Sequence, residues 1–270
     1  MTSDPQRPRE EQLAYSELMD RMLDEQGRRQ KAAKIIAVVR HALGVEDLGG
    51  LRALDVGCSA GFIADELALA GAQTTGVDID EPGLAKARKR FGERVDFRFA
   101  RGEALPFEDG SMDVVVLNHI YEHVVDPVAV LADLRRVLSP TGVLYLGIGH
   151  RHQLIEPHYR LPFLSWLPQG AADRYMRLTG KGESYYEHYY SRAGLRRWTA
   201  ALDVWDYTGS VLAQPTDFAG GDLIPGWVQR VPAGVVQRLA PAAPTYIWVG
   251  FQPGERPRGG ALRVPPVRVA

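Results

Sequence analysis

Short strand-like segments alternate with helical segments along residues 53–149, and this alternation constrains the fold more than any other feature. The strand-like segments are apolar runs that end at turn residues. They occupy residues 53–57, 74–78, 95–100, 113–118 and 143–149. Helices with one apolar face are predicted between most of them. Such alternation produces βαβ units, which predict a parallel sheet with helices on both faces.

The later part of the chain extends this sheet. A helix is predicted over residues 191–202, followed by strands at residues 204–212 and 245–251. We therefore predict an α/β fold with a Rossmann-like, doubly wound, mostly parallel seven-stranded sheet and helices on both faces. N-terminal helices precede this sheet, and an insertion follows its fifth strand.

Changes in composition divide the chain into three parts. Residues 1–45 are predicted to form a helical cap, because apolar residues recur there at helical spacing. Residues 46–252 are predicted to form the main domain, with insertions at about 150–190 and 213–244 where no regular period is found. Residues 253–270 are rich in Pro, Gly and Arg and are predicted to be a flexible tail.

Composition excludes several classes of protein. The formal net charge of −1 provides no overall positive field that would favour nucleic acid. No run of about 18 apolar residues is present, so integral membrane association is not expected. Cys58 is the single cysteine, which excludes an internal disulfide framework. The charged N-terminus does not resemble a secretory signal. A cytoplasmic location is the resulting expectation.

A glycine turn between the first predicted strand and its helix indicates a ligand site. It reads Asp55-Val56-Gly57-Cys58-Ser59-Ala60-Gly61. Glycine permits a sharp turn and close approach of a ligand, and the free amides of the next helix point at that ligand. The spacing is G-x-x-x-G, whereas the dinucleotide fingerprint is G-x-G-x-x-G. A nicotinamide-dependent dehydrogenase is therefore disfavoured.

Asp78 makes the glycine turn more specific. It ends the second predicted strand, seventeen residues after Gly61. A carboxylate at that place can accept hydrogen bonds from both hydroxyls of a ribose. The pair therefore predicts a nucleoside site and not a pyrophosphate site.

Several ordered motifs resemble those of one enzyme family. They read DVGCSAG, GVDID, GEALPF, MDVVVLNHIYEHV with the DP that follows it, and SPTGVLYLGI. In this order they resemble the motifs of class I S-adenosylmethionine-dependent methyltransferases of the type-11 (quinone-methylase-like) group. The resemblance covers about residues 50–150. It implies a methyltransferase that uses S-adenosylmethionine and releases S-adenosylhomocysteine.

The resemblance also implies roles for the matching positions. Asp55 would orient the loop beneath the methionine part or receive its amino group through water, and Asp78 would hold the ribose. Arg101 stands where relatives often carry an acid that accepts the adenine amino group; Arg has no acceptor, so Glu103 or a backbone carbonyl would do so. The implied cofactor-binding residues are Asp55, Gly57, Cys58, Ser59, Gly61, Asp78, Ile79, Gly102, Glu103, Ala104, Asn118 and His119.

A zinc pattern overlaps the fourth motif. Residues 119–123 spell H-x-x-E-H, which requires two histidines on one helix face and a third ligand elsewhere. Here the pattern begins at the end of a strand. No metal site is therefore expected.

Histidines are the candidate bases for the acceptor side. If the acceptor atom is a hydroxyl oxygen, a base must remove its proton, and histidine suits this task near neutral pH. His150 and His158 follow the fifth strand, where ligands bind in open α/β sheets. With His119, beside the expected position of the transferred methyl, they are the predicted catalytic residues.

Three other segments leave two interpretations open. Tyrosines flank Glu187 and His188, and either stack on an acceptor or pack the insertion onto the core. Residues 161–167 are apolar and either line an acceptor pocket or form a lipid or homodimer contact. The basic run that contains Arg28 and Lys31 is either a solvated helix face or a contact with a phosphate or carboxylate of a ligand.

The sequence thus predicts an O-methyltransferase whose partner is a small-molecule acceptor such as a sugar, a polyol or a secondary metabolite. One alternative is N- or C-methylation of a small molecule, including a quinone-like acceptor. Another is an S-adenosylmethionine-binding subunit without catalytic activity.

Overall fold

The computed structural model describes residues 24–221 and 226–269, and we number helices and strands within these ranges. The first half of the predicted cap lies outside the described residues. The described helices are α1 (Glu25–Leu43), α2 (Phe62–Leu69), α3 (Glu81–Phe91), α4 (Pro127–Val137), α5 (Gln169–Leu178), α6 (Arg192–Trp198), α7 (Thr208–Ala213) and α8 (Ala233–Leu239). The strands are β1 (Arg52–Val56), β2 (Gln73–Asp78), β3 (Asp96–Phe99), β4 (Met112–Asn118), β5 (Leu138–Gly149), β6 (Ile155–Glu156), β7 (Leu161–Pro162), β8 (Asp203–Asp206), β9 (Thr245–Phe251) and β10 (Val267–Arg268).

One large sheet organises the structure, in the order β10-β8-β9-β5-β4-β1-β2-β3. The strands β3, β2, β1, β4 and β5 pair in parallel, whereas β9, β8 and β10 join antiparallel at the β5 side. Apolar residues of α1, α2 and α7 pack on one face, and those of α4, α6 and the insertion pack on the other. The predicted doubly wound α/β fold is confirmed, with one additional edge strand.

Helix α1 is amphipathic, as the helical spacing of its apolar residues predicts. Ile35, Ile36, Val39 and Leu43 are all buried. Asp24 precedes the helix, and its carboxylate accepts a hydrogen bond from the backbone N–H of Gly27. Burial of these residues fixes the rotation of α1 against the sheet.

The predicted strand over residues 204–212 is wrong in its second half. Strand β8 ends at Asp206, and α7 begins at Thr208. The Asp206 carboxylate accepts a hydrogen bond from the backbone N–H of Thr208 at 2.9 Å, which turns the chain out of the sheet. The apolar residues that suggested a strand, such as Val211, instead form the buried face of a short helix.

Residues 253–269 do not behave as the predicted flexible tail. The backbone N–H of Arg258 donates to the carbonyl of Ala42 at 3.0 Å, and Val264 is 1% exposed. A Cβ atom on Gly259 would lie 2.4 Å from the carbonyl oxygen of His41, so glycine permits this approach to the end of α1. The Pro and Gly content reflects close packing against α1 rather than freedom of the chain.

The first insertion contains regular elements despite its aperiodic sequence. Strands β6 and β7 pair antiparallel, and α5 follows them. Leu164 and Met176 of this segment belong to the same apolar cluster as Leu144 of β5. The insertion is therefore packed on the core at the carboxyl ends of the strands. Across the described ranges, we find no helix that combines the length and the apolarity needed to cross a bilayer.

Gly61 should be strongly required for stability. Its φ is +82°, and an added Cβ would lie 2.7 Å from the Phe97 ring and 2.9 Å from Ala87. Strain and overpacking together predict that Gly61→Ala lowers the free energy of unfolding by about 2 to 4 kcal/mol in urea denaturation. Gly170→Ala, in α5 with nothing near the added Cβ, is the control and should change stability by no more than about 1 kcal/mol. Equal stability of the two variants would contradict the prediction.

Candidate active site

A cleft of about 740 Å³ opens at the carboxyl ends of β1, β2 and β4. The glycine turn forms its floor, α1 forms one wall, and the first insertion forms another. Of the twelve residues predicted to bind the cofactor, ten line this cleft: Asp55, Gly57, Cys58, Ser59, Asp78, Ile79, Gly102, Glu103, Asn118 and His119. Gly61 and Ala104 are not lining residues; Gly61 fits against Phe97, and Ala104 donates its backbone N–H to the carbonyl of Arg101.

The glycine turn is held in a conformation that few residues adopt. Gly57 has φ +76°, and Ser59 has φ +47°. The backbone N–H groups of Gly57 and Cys58 both donate to the carbonyl of Val77, at 2.8 and 3.1 Å. A Cβ on Gly57 would lie 2.3 Å from Ile120, so the bare backbone is needed beside the end of β4.

Asp78 links the turn to β2. One carboxylate oxygen accepts from the backbone N–H of Ser59 at 2.6 Å, and the other accepts from that of Asp80 at 2.9 Å. Burial raises the pKa of Asp78, although these amide hydrogen bonds oppose the effect. Each oxygen keeps a second lone pair that can accept a hydrogen bond from a ligand in the cleft.

Asp55 places a buried acceptor under the turn. Within the part of the chain that the structure describes, its Oδ2 atom has no hydrogen-bond partner, and the residue is 1% exposed. Burial raises its pKa to about 7, the negative charge of Asp78 adds to this, and Arg28 opposes it. A buried acceptor without a donor is costly, so the site fits a cationic or hydrogen-bond-donating ligand group.

Another part of the cleft is lined by residues that follow β2 and β3 and by one residue of α4. Ile79, Gly102 and Val130 line it together with Glu103 and Arg101. A Cβ on Gly102 would lie 3.3 Å from Val130, so the absence of a side chain at Gly102 leaves room beside Val130. The predicted roles of Arg101 and Glu103 towards an adenine remain predictions.

Two cations of the basic run on α1 line the cleft, although such a run is by default a solvated helix face. Arg28 and Lys31 are three residues apart on one side of the helix, and both line the cleft. Burial lowers the pKa of Lys31 to about 8, and the neighbouring charges of Arg28 and Lys34 act in the same direction. The signal in the sequence was the spacing of the basic run, but only the packing of α1 shows which side faces the ligand space.

His119 lies at the end of β4 with a carboxylate behind it. Its Nδ1 atom is 3.3 Å from Oε1 of Glu122, which is 0% exposed, whereas the His119 side chain is 25% exposed. The backbone of His119 has φ +55°, a strained conformation for a non-glycine residue. Residues 121–123 form a turn rather than a helix, so the two histidines of the H-x-x-E-H pattern do not share a helix face.

In the His119–Glu122 pair, the carboxylate is charged at neutral pH and the imidazole is neutral. Burial lowers the pKa of His119, and Glu122 opposes this effect. Burial raises the pKa of Glu122, but the hydrogen bond from His119 and the charges of His119, His123 and His158 outweigh burial and hold the pKa at about 2. At neutral pH the pair is therefore a neutral imidazole oriented by a carboxylate, the arrangement of a general base.

The structure places His150, a predicted base, outside the cleft. It does not line the cleft, and both ring nitrogens are engaged: Nε2 lies 2.9 Å from the carbonyl of Ala243, and Nδ1 accepts from the backbone N–H of His152. Its ring also stacks on Tyr246, with 4.6 Å between centroids. Its position after a strand suggested a catalytic role, but its side chain contacts Ala243 and Tyr246, which are distant in the sequence.

His158 lines the cleft, but its Nδ1 atom faces into the insertion. This nitrogen lies 2.7 Å from Oε1 of Glu156, which is fully buried. The tyrosines around Glu187 support the packing interpretation: Tyr185 and Tyr189 are buried in the core cluster and are not among the residues that line the cleft. Residues 161–167 also do not line it.

Comparison with known proteins agrees with the family that the motifs resemble. A family model described as a methyltransferase domain matches residues 54–146. A ubiquinone biosynthesis O-methyltransferase of Xanthomonas oryzae pv. oryzae is 34% identical over 170 residues, which are 60% of this chain and 67% of that protein. Its counterpart in Xanthomonas campestris pv. campestris is 32% identical over 60% of this chain and 66% of its own length. The match thus spans about two thirds of these relatives.

Solved structures support the fold. An S-adenosylmethionine-dependent methyltransferase from Mesorhizobium loti has a TM-score of 0.52 at 18% identity, covering 76% of this chain and 93% of that chain. The [4+2]-cyclase SpnF has a TM-score of 0.51 at 21% identity, covering 82% and 81%. At these identities both comparisons show the fold alone, and the fold does not determine the reaction.

Proposed function

The chain belongs to the class I S-adenosylmethionine-dependent methyltransferases, and on this basis we propose that it methylates a hydroxyl oxygen of a small molecule. S-adenosylmethionine supplies an electrophilic methyl group to an acceptor held in line with it. The protein must therefore hold the donor, hold the acceptor and remove one proton from the acceptor oxygen.

The residues of the glycine turn fit the donor. The unpartnered Oδ2 atom of Asp55 suits the methionine amino group, and the nearby Arg28 suits the carboxylate of the same moiety. Asp78 presents two carboxylate oxygens at the cleft, which suits two ribose hydroxyls. Ile79 and Gly102 line the part of the cleft that we propose for the adenine ring.

The observation that carries oxygen as the acceptor atom is the His119–Glu122 pair. A hydroxyl needs a base before or during its attack on the methyl, and the neutral His119 ring lies at the end of β4 with Glu122 fixing one nitrogen. Its Nε2 atom is then the nitrogen that takes the acceptor proton, and Glu122 stabilises the imidazolium that forms.

Lys31 supports the same reaction. Its charge contributes to the lowered pKa of His119, and the charge of Glu122 acts in turn to raise the pKa of Lys31. A positive charge at this place stabilises negative charge that develops on the acceptor oxygen as the proton leaves. The names of the ubiquinone-biosynthesis relatives favour O-methylation in the same way. A sugar, a polyol or a secondary metabolite remains the proposed class of acceptor.

Transfer of a labelled methyl group tests this proposal. The protein is incubated with S-adenosylmethionine labelled in the methyl group and a panel of phenols, polyols and sugars, each beside its amine analogue. We expect product from at least one hydroxyl compound and much less from its amine analogue. Preference for the amines would support the N-methyltransferase alternative. Binding of S-adenosylhomocysteine without transfer to any compound would support the non-catalytic alternative.

A further inference from the structure

A second buried group of ionisable side chains lies in the first insertion, and the proposed methyl transfer does not use it. Its members are Glu156, His158 and Glu187. One donor atom from each residue, a carboxylate oxygen or an imidazole nitrogen, lies within 4.8 Å of the other two. All three belong to residues 150–190, so the motifs at the strand ends contribute none of them.

Glu156 and His158 are held firmly. Oε1 of Glu156 lies 2.7 Å from Nδ1 of His158 and also accepts from the hydroxyl of Tyr189 at 3.3 Å. Oε2 of Glu156 accepts from the backbone N–H of Tyr159 at 2.8 Å. These contacts fix two of the three donors before any ligand arrives, which favours binding of a ligand that needs defined geometry.

Glu187 is incompletely satisfied. It is 6% exposed, and among the described residues its Oε2 atom has no hydrogen-bond partner. Its Oε1 atom accepts a long hydrogen bond of 3.4 Å from the hydroxyl of Tyr159. The hydroxyl of Tyr185, close enough for the charges of Glu156 and Glu187 to act on it, also lacks a partner within the described ranges. A buried carboxylate oxygen without a donor is costly, and a cation removes that cost.

We propose that Glu156, His158 and Glu187 form a binding site for a divalent first-row metal ion such as Zn²⁺ or Mn²⁺. Carboxylate oxygen suits Mn²⁺, imidazole nitrogen suits Zn²⁺ and Fe²⁺, and the mixed set disfavours Mg²⁺ and Ca²⁺, which prefer oxygen alone. Three protein ligands leave coordination positions for water or a ligand. This site departs from the expectation that the protein has no metal site.

The proposed metal site lies next to the cleft, so an open coordination position of the ion can face a ligand there. His158 also lines the cleft, whereas Glu156 and Glu187 lie behind it. Glu122 and His123 approach His158 from another side, with one donor atom of each within 4.8 Å of a His158 nitrogen. A metal ion here is directed to the acceptor side and not to the glycine turn.

Direct binding tests the site without relying on methyl transfer. The protein is treated with EDTA, desalted and titrated calorimetrically with ZnCl₂, MnCl₂ or MgCl₂. We expect one equivalent of Zn²⁺ or Mn²⁺ to bind, and Mg²⁺ to bind at least about tenfold more weakly. Absence of saturable binding by both Zn²⁺ and Mn²⁺ would overturn the proposal, whatever the outcome of the transfer assay.

Matched variants locate the ion. Glu187→Gln and His158→Asn should weaken Zn²⁺ binding at least about tenfold. Glu183→Gln and His152→Asn make the same changes at exposed positions of the insertion and should leave the affinity unchanged. Unchanged binding in Glu187→Gln would overturn the assignment. So would loss of binding in Glu122→Gln alone, because the ion would then lie at the His119–Glu122 turn.

Cobalt provides a spectroscopic test of the metal site that uses the unmodified protein, so it does not require the variants to fold. Added to the EDTA-treated protein, Co²⁺ should produce visible absorption bands of a nitrogen- and oxygen-ligated centre, and one equivalent of Zn²⁺ should remove them. The binding affinity for S-adenosylhomocysteine serves as the folding control, since the glycine turn contributes no ligand. Absence of these bands would contradict the site even if every variant were insoluble.

Discussion

Replacing Asp78 by alanine should weaken S-adenosylhomocysteine binding at least about 100-fold, because two hydrogen bonds to a carboxylate contribute about 3 to 6 kcal/mol together. Calorimetric titration measures the change. Asp96→Ala, the same substitution at an exposed position on the neighbouring strand β3, is the control and should change the affinity less than about twofold. Equal affinities of Asp78→Ala and the unmodified protein would refute the assignment.

A second ligand separates the two tasks of Asp78. The carboxylate also holds the backbone of Ser59 and Asp80, so its loss could act through the turn alone. The analogue of S-adenosylhomocysteine with a 2′-deoxyribose removes one of the two proposed contacts. The unmodified protein should bind this analogue more weakly than the parent compound. The Asp78→Ala variant should bind the analogue and the parent compound with equal affinity. An undiminished difference in the variant would mean that Asp78 only shapes the turn.

Replacing His119 by alanine should lower kcat about 10²- to 10⁴-fold, the usual contribution of a general base. Affinity for S-adenosylhomocysteine should change little, because the proposed role concerns the acceptor proton. His152→Ala, at an exposed histidine outside the cleft, is the control and should retain full kcat. Full activity of His119→Ala would refute the proposed base.

The pH profile gives the same prediction an independent test. Burial lowers the pKa of His119 below its ordinary value of 6.5; Lys31 and His158 add to this, and Glu122 opposes it. The neutral, proton-accepting form therefore predominates above that pKa, so kcat should rise with pH below 6.5 and reach a plateau near neutrality. His119→Ala should lack this rise. A rise centred above 6.5 would favour His158, whose pKa is raised.

The parts of the fold that sequence predicted correctly depend on local patterns. The short apolar run before Gly57, the strand that ends at Asp78 and the helix that begins at Pro127 each carry their signal within a few residues. Asp126 accepts hydrogen bonds from two backbone N–H groups at the start of α4, as an Asp before Pro predicts. The alternation of these strands and helices along the chain is then enough to predict a parallel sheet.

The parts that sequence did not predict depend on distant partners. His150 follows a strand as a ligand-binding residue would, but the carbonyl of Ala243 engages its Nε2 atom, the backbone N–H of His152 engages its Nδ1 atom, and Tyr246 stacks on its ring. Arg28 faces the cleft because α1 is fixed by contacts with α2 and with residues 258–260, far along the chain. No local pattern encodes contacts of this separation.

The proposed metal site also depends on residues that are distant in the sequence. Glu156 and His158 stand two residues apart, and Glu187 follows much later in a segment with no regular period. Their meeting depends on how β6, β7 and α5 pack on the core. The sequence pattern that did suggest zinc, at residues 119–123, forms a turn in which Glu122 is already paired with His119.

The placement of β9 between β5 and β8 has a consequence for how this protein emerges from the ribosome. Strand β5 ends at Gly149, but its antiparallel partner begins at Thr245. At about 5 to 20 residues per second, the long, apolar edge of β5 waits roughly 5 to 20 seconds for that partner. An unpaired apolar edge is prone to aggregation. The first insertion is made during that interval, and its apolar residues belong to the same cluster as Leu144 and Leu146, so it can cover the apolar face of β5 while the edge of that strand is still unpaired.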